Sequence, residues 1–296
     1  MGDSDIDGPD TAGSSDTTSW AELHAETATR LAAAGIENAT TEARWIVERA
    51  AGDPFRVVAD RPATVRSHHH WRLMVERREQ GEPLQYVLER WAFRTLELFV
   101  DRRVLIPRPE TEVVVDAVLE EHTRVGGAVV DLGTGSGAIA LSVAAERPGT
   151  EVWGVERAPG ALAVARANCT GIGRRAAAAV RLVEGSWFDP LPEELLGGVG
   201  VIVSNPPYVA DDEDQPADVA EWEPREALRA GADGLDDIRT IILDASRWLA
   251  PGGALVIEHA PEQASAVRAL ARDAGFDHVR TGTDLTGRER FLVARR

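Results

Sequence analysis

From about residue 111 onward the chain alternates short apolar runs with helical stretches rich in alanine, and this alternation constrains the fold more than any other feature. The apolar runs are Ala128–Leu132, Val152–Val155, Val180–Val183, Val199–Val203 and Ala254–Ile257. Between them, Ala138–Ala145 and Ala158–Asn168 read as helices. Strands separated by helices run parallel, and a parallel sheet is covered by helices on both faces. Two more strands are predicted around Val279 and Phe291–Val293, with a turn at Thr286-Gly287 short enough for an antiparallel pair. The expectation is an α/β, Rossmann-like sheet, mostly parallel, whose last strand is antiparallel.

The first strand runs into Asp131-Leu132-Gly133-Thr134-Gly135-Ser136-Gly137, which opens the following helix. Glycines there allow a tight turn and let a ligand approach the backbone with no Cβ in the way. The second strand ends in Glu156, whose carboxylate can accept two hydrogen bonds from ribose hydroxyls. Gly133, Gly135 and Ala138 also satisfy the dinucleotide fingerprint, so the loop alone specifies a nucleoside ligand and leaves a nicotinamide oxidoreductase open.

The fourth strand leads into Asn205-Pro206-Pro207-Tyr208, at the same carboxyl edge. The Asn205 side-chain oxygen and the Pro206 carbonyl are two acceptors, enough to grip both hydrogens of a planar NH2. The prolines fix φ and hold these acceptors in place, and Tyr208 offers a flat face for stacking. An amide nitrogen is a weak nucleophile, so orientation and stabilisation of the developing positive charge are what a protein can contribute to its methylation. A nicotinamide enzyme has no use for this tetrapeptide.

The front of the chain is different. Residues 1–18 carry Asp3, Asp5, Asp7, Asp10 and Asp16 among Gly, Ser and Thr, and read as a disordered acidic tail. Residues 19–90 read as a helical domain, with Leu23, Leu31, Ile36, Trp45, Ile46 and Val47 on apolar faces and Gly35 and Gly52 as helix stops. His68-His69-His70 lacks metal-ligand spacing and reads as an exposed run. Residues 91–108 read as a hairpin connector, its strands flanking a turn at Asp101-Arg102-Arg103, and 109–296 as the catalytic domain. No metal site is expected.

The chain has 296 residues, 49 acids against 32 bases, and a net charge of −17; every base is an arginine. Binding to nucleic acid is driven by basic patches that release counterions, so direct nucleic-acid binding is not expected. No apolar run is long enough for a membrane span and no secretory leader is visible. With a single cysteine, Cys169, the expectation is a cytoplasmic protein without disulfides.

Taken together, several stretches resemble the release-factor glutamine methyltransferase family. They are Gly81–Val87, Val104–Glu112, Asp131–Gly137, Gly185–Phe188, Asn205–Tyr208, Glu223–Leu228, Asp233–Leu235 and Asp284–Arg290. The resemblance implies a class I methyltransferase sheet with a small N-terminal helical domain. It implies transfer from S-adenosyl-L-methionine to the N5 amide of the glutamine in the Gly-Gly-Gln motif of class 1 peptide chain release factors. It assigns Asp131, Gly133, Thr134, Gly135, Ser136, Gly137, Glu156, Trp187 and Asn205 to the cofactor, with Trp187 along the adenine. It assigns Asn205, Pro206, Pro207 and Tyr208 to the substrate glutamine, with Asn205, Pro206 and Tyr208 as catalytic residues. The helical domain would help grip the release factor, and a monomer is expected. The chain departs from the pattern at Glu156 and Ser186, where many relatives carry Asp, and at Glu258-His259-Ala260. An adenine N6 methyltransferase acting on DNA or RNA, a ribosomal-protein glutamine methyltransferase and a non-catalytic binding subunit are the alternatives.

Overall fold

The computed structural model describes residues 18–296, so all but one residue of the expected acidic tail lie outside the described residues. Two compact units meet in sequence at Leu88 and Glu89. The first unit is helical: α1 (Trp20–Ala33), α2 (Ala39–Ala51), α3 (Phe55–Val58), α4 (Val65–Glu79) and α5 (Leu84–Leu88). Ser19 begins α1 with a capping box, its hydroxyl accepting from the Glu22 backbone N–H while Glu22 accepts from the Ser19 N–H at 2.8 Å. Gly52 ends α2 in the left-handed region, at φ +80°.

The apolar periodicity of the first unit becomes its core. Leu23, Leu31, Ile46 and Val47 are buried with Trp20, Trp71, Met74 and Val75, and Ile36 and Trp45 pack at the edge. His69 and His70 are exposed on α4, and His68 lies against Trp71. One polar chain crosses this core: the Trp71 indole N–H donates to Thr27 Oγ1 at 2.8 Å, and the Thr27 hydroxyl donates to the Leu23 carbonyl at 2.6 Å.

The second unit starts with a hairpin, though not the predicted one. Strands β1 (Trp91–Phe93) and β2 (Leu96–Leu98) pair antiparallel, so the turn falls at Arg94-Thr95 instead of Asp101–Arg103. Arg94 takes φ +52° and is held by carboxylates far away in sequence. Its backbone N–H donates to Glu112 at 2.9 Å, and its guanidinium clasps Glu146 at 2.6 and 2.8 Å. Val104 and Ile106, expected to form the second strand, are buried in a segment outside the named strands; the Ile106 N–H donates to Glu223 at 3.3 Å. Their apolar character serves burial, which periodicity cannot tell from pairing.

The rest of the unit follows in chain order as α6 (Pro109–Val125), β3 (Ala128–Leu132), α7 (Ala138–Glu146), β4 (Val152–Glu156), α8 (Pro159–Gly171), α9 (Arg174–Ala177), β5 (Val180–Glu184) and β6 (Val199–Ser204). It ends with α10 (Ala217–Trp222), α11 (Asp236–Trp248), β7 (Leu249–Glu258), α12 (Ala264–Asp273), β8 (Asp277–Thr283) and β9 (Glu289–Arg295). The seven-stranded sheet has the order β5-β4-β3-β6-β7-β9-β8. Strands β3 to β7 are parallel, and β9 is antiparallel to both β7 and β8. The α/β class, the parallel core and the antiparallel last strand are as predicted. Val130, Leu132, Ile202, Leu255 and Ile257 of the sheet pack with Ile238, Ile241 and Ile242 of α11. Chain order reverses between β3 and β6, which opens a crevice at their carboxyl ends. Leu132 stands opposite Val155 of β4 and Ser204 of β6, so the glycine loop, Glu156 and Asn205 all leave the sheet at this crevice. No helix among the described residues is long and apolar enough to cross a membrane.

Replacement of Thr27 by Val keeps the shape of the helical core but strands the Trp71 indole N–H. Denaturant unfolding of the full chain should show Thr27→Val less stable than wild type by about 1–3 kcal/mol, and Thr27→Ser closer to wild type. Equal midpoints for Val and wild type would contradict this.

Candidate active site

The loop after β3 is shaped by its glycines. Gly133 and Thr134 both donate backbone N–H groups to the Val155 carbonyl at 2.9 Å, which folds the loop against β4. Gly137 starts α7 at φ +87°, and a Cβ there would sit 2.8 Å from Leu141. Gly135 has φ +56° and open space where its Cβ would be. Its N–H donates to Glu156 Oε2 at 2.9 Å, while the Ala158 N–H donates to Glu156 Oε1 at the same distance. Two backbone donors thus hold the carboxylate and leave it acceptor capacity toward the crevice.

Asp131, at the end of β3, is 1% exposed. Its Oδ2 accepts from the Thr134 hydroxyl at 2.6 Å and from the Ala140 N–H at 3.1 Å, whereas Oδ1 is buried with no partner. Burial raises its pKa to about 7, against the hydrogen bond from Thr134. A buried acceptor with no donor is costly unless a ligand supplies one. Trp187 adopts φ +46°, and its ring stands 3.5 Å from the point where a Gly133 Cβ would lie. It also packs on the sheet core, so its ring is both wall and core.

Gly133, Gly135, Glu156, Ala158 and Trp187 line one open cleft. Thr134, Ser136, Ile139, Ala161 and Ser186 complete much of the wall, and Asn205 and Pro207 stand at its end. A second hollow of about 570 Å³ is lined by Asn205, Pro206, Tyr208, Leu105, Arg108 and Leu228. Asn205 lines both spaces. The orphan Asp131 acceptor, the braced Glu156 carboxylate and the uncovered Gly135 backbone fit a ligand with donor groups, as S-adenosyl-L-methionine has in its ammonium and ribose hydroxyls.

The tetrapeptide is fixed from several sides. Ser204, just before it, donates its hydroxyl to the Leu132 carbonyl at 2.7 Å. Tyr208 donates its backbone N–H to Leu228 at 3.1 Å, and its carbonyl accepts from Gln263 at 2.9 Å. Asn205 Nδ2 donates to Thr111 Oγ1 at 3.2 Å, and Thr111 donates to Glu258 Oε2 at 2.7 Å. The Tyr208 hydroxyl reaches Glu258 Oε1 at 3.3 Å. Glu258 is 1% exposed, and burial lifts its pKa to about 7 despite the Thr111 hydrogen bond. Burial likewise pushes the Tyr208 phenol well above its usual range, with the Glu258 charge adding to the effect.

Two family models match the chain, a Methyltransferase small domain over residues 110–222 and a PrmC N-terminal domain over residues 22–88. The release factor glutamine methyltransferase of Geobacter sulfurreducens is 40% identical over 270 residues, spanning 90% of this chain and 92% of that protein. That of Gloeobacter violaceus is 42% identical over 262 residues, covering 85% and 89% of the two chains. That of Bifidobacterium longum is 38% identical over 286 residues, covering 91% and 97%. The chain belongs to the release factor glutamine methyltransferase family. Among solved structures, the hMettl16 catalytic domain in complex with a MAT2A 3′UTR hairpin has a TM-score of 0.52 at 16% identity, covering 77% of this chain and 79% of that one. That likeness is one of fold, the class I methyltransferase sheet.

Within this release factor glutamine methyltransferase family member, Thr134, Ser136, Glu156, Trp187 and Asn205 line the first cleft with Gly133 and Gly135, while Asp131 and Gly137 shape the loop behind it. The sequence reading missed Thr111, Glu258 and the Arg108–Glu223 pair, in which Arg108 donates to Glu223 at 2.6 Å. The stretches Val104–Glu112 and Glu223–Leu228 were the available signals for Arg108, Thr111 and Glu223. Glu112, the last residue of the stretch Val104–Glu112, holds the Arg94 N–H. His259 is buried, its Nδ1–H donates to the Ala260 carbonyl at 2.8 Å, and burial lowers its pKa. Among the described residues no group of three or more His, Cys, Asp or Glu could hold a metal ion.

The raised pKa of Asp131 makes stability depend on pH. An unfolded chain ionises this group near 3.8, the folded protein near 7. Between those values only the folded state keeps the proton, so stability falls as pH rises through the window. Asp131→Asn retains an acceptor for Thr134 and Ala140 and should flatten that fall. Its melting temperature should drop less than that of wild type between about pH 5 and about pH 8; parallel melting curves would contradict the assignment.

Proposed function

We propose that this protein methylates the side-chain N5 amide of the glutamine in the Gly-Gly-Gln motif of class 1 peptide chain release factors, with S-adenosyl-L-methionine as donor. The observation that carries the reading is Asn205, shared by the cleft of the glycine loop and the hollow lined by Pro206 and Tyr208. A transferred group must pass between two bound molecules, and Asn205 stands where the two spaces adjoin.

Each residue then has a role. Asp131 Oδ1 faces the donor's ammonium group, directly or through water, and Glu156 accepts from the ribose hydroxyls. The glycine loop, with Thr134 and Ser136, lies along the nucleoside, and Trp187 flanks the adenine. When bound, the donor supplies a sulfonium-activated methyl group. Asn205 Oδ1 and the Pro206 carbonyl accept the two hydrogens of the substrate amide, Pro207 stiffens the turn, and Tyr208 stacks on the amide plane. Holding the NH2 in this way turns its nitrogen lone pair toward the methyl and stabilises the positive charge that develops on nitrogen. The first unit, through Leu88, contributes to holding the release factor. The net charge of −17 supports a protein substrate over a nucleic acid.

The test is transfer of labelled methyl to a release factor, repeated with its motif glutamine changed to alanine. Label should enter only the glutamine form, and equal labelling of both would overturn the proposal. Label entering adenine of DNA or RNA, or a ribosomal-protein glutamine, would redirect it to those substrates. Asn205→Ala should lower kcat by about 100-fold or more, measured with both substrates saturating.

A further inference from the structure

We infer that Glu258 is a positioning residue that, through Thr111 and Tyr208, decides which end of the Asn205 amide meets the substrate. This inference rests on the proposed amide methylation and deepens it. Thr111 Oγ1 carries one hydrogen and lies between Glu258 Oε2 at 2.7 Å and Asn205 Nδ2 at 3.2 Å. While Glu258 is ionised, the short bond from the Thr111 hydroxyl to its carboxylate takes that hydrogen. Toward Asn205 the hydroxyl can therefore only accept, and only the nitrogen end of an amide can donate. The oxygen end of Asn205 is left for the spaces that Asn205 lines. A flipped amide would present NH2 to the substrate NH2, donor against donor.

The second oxygen of the same carboxylate acts on the other wall. Tyr208 donates its hydroxyl to Glu258 Oε1 at 3.3 Å, which orients the ring that lines the second hollow. The three partners come from three places in the fold: Thr111 from the first turn of α6, Tyr208 from the loop after β6, and Glu258 from the last residue of β7. Thr111 and Glu258 are both at least 97% buried by accessible surface, being 3% and 1% exposed. The guanidinium that stands near Glu258, Arg290, is itself bonded to Asp284 at 3.2 Å, so the carboxylate is held by hydroxyls and not clasped by an arginine. Keeping a buried carboxylate this way is unfavourable for stability, as its raised pKa reflects, and such costs concentrate at functional sites.

The test compares Thr111→Val, Thr111→Ser and Glu258→Gln. Val removes the relay, Ser keeps it, and Gln must turn its NH2 toward either Thr111 or Tyr208 and so reverses one of the two donors. Thr111→Val and Glu258→Gln should lower kcat by about 10- to 100-fold while the dissociation constant for S-adenosyl-L-methionine changes little. Thr111→Ser should recover most of the lost kcat. A Val variant as fast as wild type, or a Ser variant as slow as Val, overturns the inference while leaving glutamine methylation intact. A second readout is independent of the substrate: the side-chain NH2 resonances of Asn205 by 15N NMR, assigned by their loss in Asn205→Asp. Slow exchange of these hydrogens in wild type and Thr111→Ser, but not in Thr111→Val, supports the relay even if the release factor proves not to be the substrate. Equal exchange in all three overturns it.

Discussion

The parallel pairing of β3 with β6 is the contact on which the rest of the site depends. It sets Leu132 opposite Ser204, and the Ser204 hydroxyl reinforces the junction by donating to the Leu132 carbonyl at 2.7 Å. Because chain order reverses there, the connections after the two strands diverge and leave a crevice between them. The glycine loop leaves from one side and Asn205 from the other. Slipping this register by one residue would turn every buried side chain of β6 to the opposite face. Val199, Val201, Ile202 and Val203 are all fully buried, so each lies in packed surroundings that oppose such a slip.

Buried carboxylates meet contrasting surroundings, with Glu223, paired to Arg108 yet raised in pKa by burial, between the extremes. Glu121 is buried and suffers desolvation, but hydrogen bonds from Arg295 and Arg124 outweigh it and hold its pKa below the usual range. Glu82 is likewise clasped by Arg77 at 2.7 Å. These pairs join structural elements. Asp131 and Glu258 are different: burial wins, and their partners are hydroxyls and a backbone amide. Both stand at carboxyl ends of strands beside the crevice. In this chain the carboxylates left without an arginine clasp mark the site better than acidity as such.

Much of the fold was legible because its signals are local. A strand such as Ala128–Leu132 and a helix such as Ala138–Glu146 announce themselves within a few residues, and the loop between them needs glycine for backbone reasons alone. The tetrapeptide Asn205–Tyr208 was legible for the same reason, since its chemistry lies in adjacent residues. The hairpin turn was misplaced because Arg94 is drawn into a positive φ by Glu112 and Glu146, and the latter lies 52 residues away. Thr111 and Glu258 were invisible as partners, 147 residues apart and meeting only when α6 packs against β7.

The sequence by itself determined the alternation that makes a parallel sheet, the nucleoside-type glycine loop, and a rigid Asn-Pro-Pro-Tyr turn at the end of a strand. Each follows from steric limits on φ and from burial of apolar runs, which short segments encode. Only the tertiary structure decided that one asparagine lines both spaces, that Asp131 keeps an unpartnered oxygen, and that a buried glutamate orients the asparagine through a threonine. Those are matters of distance and desolvation between residues remote in the chain, and they come into being only once the sheet and its helices have closed around them.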